Sequence, residues 1–215
     1  MHKIDRRLSV APMMNWTDRH CRVFHRLLSK NTLLYSEMIT SGAIIYGNKA
    51  RLLAFNEIEH PVALQLGGSC PKDLSEASKI GVDFGYDEIN LNLGCPSDRV
   101  QSGCFGAALM RKPELVCSCI TKIKKATTDI KITAKCRLGV DEQDPYTILP
   151  KFLQHLIDAG IDGVIIHARK AILQGLSPKQ NREVPKLNYE IVSQMKNAFP
   201  QLEIVINGGI RSEER

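Results

Sequence analysis

The chain has 215 residues, 43% of them hydrophobic and 24% charged, with a formal net charge of +6. That balance excludes a disordered or fibrous chain, and no apolar run approaches the ~20 residues of a membrane helix. Seven cysteines without a C-x-x-C spacing argue for reduced thiols rather than a disulfide framework or a metal site.

The N-terminal "MHKIDRRLSVAPMM" has no apolar segment of secretory type, so a cytoplasmic protein without membrane attachment is expected. The first predicted strand is "LSVAP", residues 8–12. It runs into Pro12, Met13 and Met14, a fixed turn followed by soft apolar surface suited to one side of a ring. "DRHCRVFHRLLSK", residues 18–30, is predicted as a helix, and "TLLYSEM", residues 32–38, as a strand. "PVALQLGG", residues 61–68, is the third strand and "PKDLSEASKIGV", residues 71–82, its helix. "DEINLNLG", residues 87–94, and the helix "KPELVCSCITKIKKAT", residues 112–127, follow. The next pairs are "IKITAKCRLG", residues 130–139, with "PYTILPKFLQHLIDAG", residues 145–160, and "DGVIIHAR", residues 162–169, with "LNYEIVSQMKNAF", residues 187–199. Gly160 and Pro200 are helix-stop signals. "LEIVINGG", residues 202–209, is the seventh strand.

Strands alternating with helices imply parallel βαβ units. Period-two alternation places Ala63 with Gln65, Asn90 with Asn92, Thr133 with Lys135 and Arg137, Ile165 with His167, and Val205 with Asn207. One face of five strands thus turns polar toward its C-terminal end, while the other stays aliphatic. A doubly wound sheet would bind ligands at one switch point with fewer strands contributing. Polar ends on many strands favour a (β/α)8 TIM barrel, whose site lies at the C-terminal rim. Seven strands are countable, one short of closure, so the chain reads as an incomplete barrel.

Lys135 on an inward face needs an anion, a carboxylate partner or water. His167 can donate to a phosphate or a ring carbonyl. Asn207, Gly208 and Gly209 let backbone N–H groups approach an anion closely. With Gln65, these residues suit a planar phosphorylated cofactor, and flavin mononucleotide fits. Cys95 stands in Gly-Cys-Pro on the loop after the fourth strand. It could be nucleophile, ligand, acid or filler; a nucleophile would need a base, for which only His167 offers, whereas an acid needs only its proton and reach. Cys104, in a glycine-rich context, is the weaker thiol candidate. The loop "HARKAILQGLSPKQNREVP", residues 167–185, carries Arg169, Lys170, Lys179 and Arg182 against one acid, Glu183. Such cations beside a site suit the phosphates of a nucleic acid.

Together "VAPMMNWTDRHCR", "ALQLGG", "EINLNLGCPSDRVQSGCFGAALM", "KCRLGVD", "HARKAILQGLSPKQNR" and "INGGI" closely resemble the flavin-dependent tRNA-dihydrouridine synthases, in particular their A-type bacterial branch. The resemblance covers essentially the whole chain. It implies a TIM barrel followed by a small helical domain, FMN at the barrel mouth with NADPH as reductant, and reduction of the C5–C6 bond of D-loop uridines of tRNA at positions 20 and 20a. Pro12, Met13, Met14, Gln65, Lys135, His167, Asn207, Gly208 and Gly209 match its FMN-contacting positions. Cys95 matches its catalytic acid, and Asn92, Lys179 and Arg182 match tRNA contacts. No obligate protein partner is implied. The family's further Gly-Arg phosphate contact and its helical domain have no counterpart here. The chain therefore reads as residues 1–215 of a longer flavin-binding barrel. Two other readings stay open: an FMN-dependent oxidoreductase of a free pyrimidine, and a flavin- or RNA-binding fragment without catalysis.

Overall fold

The computed structural model describes residues 4–97, 100 and 103–212. Its strands are β1 (Asp5–Val10), β2 (Thr32–Tyr35), β3 (Ile39–Thr40), β4 (Val62–Gly67), β5 (Glu88–Leu93), β6 (Lys131–Cys136), β7 (Gly163–His167) and β8 (Glu203–Asn207). The main path is β1-β2-β4-β5-β6-β7-β8, parallel throughout, with β3 paired to β4 beyond the end of β2. This is a nearly closed α/β barrel of TIM type with seven principal strands. The expected strand over residues 32–38 is shorter, ending at Tyr35, and β3 lies just beyond its expected end. Pairing stops at Tyr35 and resumes at Ile39, because the Ser36 hydroxyl accepts the Gln65 N–H and donates to the Glu37 carbonyl.

The helices are α1 (Arg19–Leu28), α2 (Ser41–Tyr46), α3 (Lys49–Leu52), α4 (Pro71–Asp83), α5 (Pro113–Ala126), α6 (Pro145–Asp158) and α7 (Tyr189–Ala198). Proline opens α4, α5 and α6, where its missing N–H costs nothing. Gly160 just beyond α6 takes φ +87°, the left-handed stop anticipated above. The short helices α2 and α3 were not legible in the sequence; Thr40 and Asn48 cap them by accepting the N–H groups of Ala43 and Arg51. Among the described residues no helix is long and apolar enough to cross a membrane.

Alternation along the strands builds two apolar layers. Leu64, Leu66, Ile89, Leu91, Ile132, Ala134, Val164 and Ile166 face outward and pack beneath the helices with Leu74, Ile120, Phe152 and Ile191. Each such side chain taken from water stabilises the fold by about 2 kcal/mol. Leu33, Tyr35, Ala63 and Ile165 form a smaller cluster inside the barrel.

The lumen also holds a polar layer. Glu88 is fully buried and accepts hydrogen bonds from Arg6, Thr133 and the Tyr35 hydroxyl. Burial pushes its carboxyl up while Arg6 pulls it down. Arg6 also donates to Glu203 at 2.7 Å, joining β1 to β8, which do not pair with each other. Above this layer Gln65 donates to Asn90 at 2.8 Å, Asn90 to Thr133 at 2.9 Å, and Asn92 to Gln65 at 2.9 Å. The polar inner faces satisfy one another and leave the upper rim for chemistry.

Candidate active site

The C-terminal strand ends surround a cavity of about 510 Å³. Pro12, Met13 and Met14 reach it from the loop after β1, and Gln65 and Asn92 from β4 and β5. Cys95 comes from the next loop, Lys135 from β6 and Arg137 from just past it, His167 from β7, Asn207 from β8, and Gly208 and Gly209 from the turn after it. All nine residues expected to hold a cofactor therefore meet at one rim, with Cys95 on the same cavity. Arg182 lines it too, whereas Lys179 lies exposed on the same loop outside the lining. Arg169 does not line it; its guanidinium donates to the carbonyls of Glu183 and Pro185 and anchors the loop's far end.

His167 is paired in register with Asn207 and is buried. Burial, reinforced by Arg137, Lys135, Arg169 and Arg182, pulls its ring down to about 2, so the imidazole is neutral at physiological pH. Its Nε2 is buried and has no hydrogen-bond partner among the described residues. Gly208 sits against that ring at φ +100°, and a Cβ there would stand 2.7 Å from Nε2. Gly209, at φ +67°, would set a Cβ 2.6 Å from Leu187. Both positions need glycine for backbone shape and for space. Burial, then the neighbouring Arg137, lowers Lys135 to about 8, which leaves it mostly charged at neutral pH. Among the described residues no carboxylate forms an ion pair with it. Lys135, Arg137 and Arg182 thus line the cavity with no carboxylate among its described lining residues, a setting for an anion.

The thiol loop is fixed from below. The Asn92 Oδ1 accepts the N–H groups of Gly94 at 3.2 Å and Cys95 at 3.0 Å, while its amide nitrogen donates to Gln65. Asn92, matched to a tRNA contact by resemblance, is here the cap that shapes the Cys95 turn. The Cys95 sulfur lies 3.5 Å from the Ser97 hydroxyl. Cys104 is exposed, in a left-handed conformation at φ +57°, and does not line the cavity.

Two residues that motif reading missed tie these loops together. Arg137 is buried, and burial lowers its guanidinium to about 10. It donates to the Gly94 carbonyl at 3.2 Å, the Asn181 carbonyl at 2.8 Å and the Lys170 carbonyl at 3.3 Å. Asn181 is fully buried; its amide nitrogen donates to Ile172 at 2.8 Å and Leu176 at 3.2 Å, and its oxygen accepts the Ile172 N–H at 2.8 Å. The pair forms a strut from the Cys95 turn to the basic loop. The inward position of Arg137 was legible from alternation, but its backbone partners were not.

Fold and site define a parallel α/β barrel with a cavity at its C-terminal rim, lined by Lys135, Arg137 and Arg182 and by the Cys95 thiol. The dihydrouridine synthase (Dus) family model matches residues 9–215, and the chain belongs to that family. It is 57% identical over 209 residues to the tRNA-dihydrouridine(20/20a) synthase of Vibrio cholerae serotype O1, covering 97% of this chain and 63% of that protein. It is 55% identical over 208 residues to the protein of the same name in Xanthomonas campestris pv. campestris, covering 97% and 62%. The chain thus spans under two thirds of the length of these relatives. The fold is shared with the old yellow enzyme homologue of Zymomonas mobilis, at TM-score 0.67 and 11% identity over 97% of this chain and 79% of that one. It is shared also with TcOYE, at TM-score 0.57 and 8% identity over 93% and 84%.

Proposed function

We propose that the protein reduces the C5–C6 bond of D-loop uridines in tRNA, at positions 20 and 20a, with FMN as cofactor and NADPH as reductant. The observation that carries this reading is the buried, unpartnered Nε2 of His167 beside Gly208, in the same cavity as Cys95. Family membership and the printed names of the relatives support the substrate.

The residues fit FMN. Gly208 and Gly209 line the cavity with bare backbone, packed against His167 and Leu187, and Lys135 and His167 add a charge and a donor, which suits a phosphate and a ring edge. Gln65 presents an amide, and Pro12, Met13 and Met14 a soft apolar wall for the ring system. FMN held by these residues would supply the hydride chemistry for the uracil C5–C6 bond.

The chain's own residues do the rest. Cys95 gives the thiol proton to C5, where negative charge develops. Asn92 and Arg137 hold its turn in place through the backbone of Gly94 and Cys95. The uridine must leave the tRNA stack to enter the cavity, at a cost of a few kcal/mol that is smallest for a loop base. Arg182 at the rim, with Lys179 outside it, contributes phosphate contacts that offset this cost.

Cys95→Ala tests the assignment. The variant is expected to keep its bound flavin and its NADPH oxidation while dihydrouridine formation falls by about 100-fold or more. Undiminished dihydrouridine formation would remove Cys95 from the chemistry.

A further inference from the structure

The loop after β1 carries an aromatic side chain that the reaction above leaves without a task. Trp16 is the only tryptophan in the chain and is 71% exposed, yet it lines the same cavity as Cys95 and Arg182. A ring of that size ordinarily buries most of its surface.

Its backbone is firmly held. The N–H groups of Trp16 and Thr17 both donate to the Met13 carbonyl, at 3.1 and 3.0 Å. The Met13 N–H donates in return to the Thr17 hydroxyl at 3.0 Å. Asn15 is left-handed at φ +62°, and its N–H is taken by the Glu37 carboxylate. A rigid turn therefore presents an apolar plane to solvent at the cavity mouth. The Arg182 guanidinium, on the same cavity, donates to the Pro178 carbonyl at 3.1 Å and keeps further donors outward.

An exposed, pre-set aromatic plane on the same cavity as a cation suits single-stranded nucleotides, the base on the ring and the phosphate on the cation. We propose that Trp16 is a stacking platform for the nucleobase next in sequence to the uridine that enters the cavity. This rests on the reading that the substrate is an RNA. Drawing one base out of a stack leaves its neighbour with a bare face, and Trp16 covers that face. The indole takes no part in hydride or proton transfer.

A single tryptophan makes the test local. The flavin-loaded protein is titrated with unmodified tRNA while indole emission is followed, and affinity is measured in parallel by filter binding. Emission is expected to change saturably with tRNA. Trp16→Phe is expected to bind within about threefold of the unaltered protein, and Trp16→Ala about tenfold more weakly. The salt dependence of binding and the flavin content should be the same in all three, since no phosphate contact is removed. Emission indifferent to saturating tRNA, or unaltered affinity in Trp16→Ala, would overturn the proposal. Emission that shifts on flavin loading alone, and no further with tRNA, would overturn it by assigning the indole to the cofactor. An unaltered protein that fails to bind tRNA in the filter assay would sink the RNA reading itself, and the platform with it.

Discussion

His167 shows how one side chain reports on its surroundings. Its ring is pulled from 6.5 to about 2, chiefly by burial and then by four cations. Between those values the unfolded chain binds a proton that the folded chain does not, so stability falls as pH drops through that window and is fully present only above about 6.5. Urea unfolding between pH 7.5 and 5.5 should therefore show a decline that His167→Gln reduces, by up to about 1.4 kcal/mol per pH unit. Equal pH slopes in the two proteins would show that the imidazole is not held neutral. The position of His167 was legible because alternation along β7 and the strand end place it on the lumen side. That its Nε2 would be left without a partner was not, since this depends on Gly208 arriving from the turn after β8, 41 residues later. Cys95 was legible from its turn. The second duty of Asn92, accepting the N–H groups two and three residues on, is a local turn that an asparagine before Gly-Cys invites, although the motifs did not single it out.

At the scale of elements, α1 departs from what its sequence invites. The stretch was readable as a helix, and Asp18 caps it by accepting the Cys21 N–H at 2.9 Å. Yet its buried face carries Arg22 and Arg26, while Phe24, Leu27 and Leu28 are exposed. The arginines face inward because carbonyls gather there. Arg26 donates to Thr32 at 2.7 Å, Glu59 at 3.0 Å and Pro61 at 3.1 Å, and Arg22 to the Glu59 carboxylate at 2.5 Å. Hydrophobic periodicity locates such a helix but cannot show which face meets polar backbone. The loop over residues 169–185 is similar: its basic character was visible, its buried Asn181 pin was not. Asn181→Ala is expected to speed tryptic cleavage at Lys179 and Arg182 several-fold and to weaken tRNA binding, with flavin content unchanged. Cleavage and binding like those of the unaltered protein would show that the loop keeps its shape without the pin.

The whole molecule depends on how the strand path stands next to closure. β1 and β8 flank a cleft of about 760 Å³, lined by Arg6, Ser9, Tyr35, Lys135 and Val205 among others. Arg6, on its wall, pairs with both Glu88 and Glu203. Removing that cation leaves Glu88 buried without its countercharge, so Arg6→Met is expected to cost about 3–5 kcal/mol in urea unfolding. A loss below about 1 kcal/mol would mean that the lumen network does not depend on the pair. Seven strands and the polar lumen were readable from alternation, whereas β3, just beyond the expected strand over residues 32–38, was missed because two paired residues leave no period to detect.

The most direct measurement of what the cavity does is nucleoside mass analysis of tRNA lacking dihydrouridine, after incubation with the protein, FMN and NADPH. Dihydrouridine in the D-loop, formed by the unaltered protein and absent with Cys95→Ala, is the expected result. Reduction of free uracil with none in tRNA would contradict it and turn the site over to a small-molecule pyrimidine reductase.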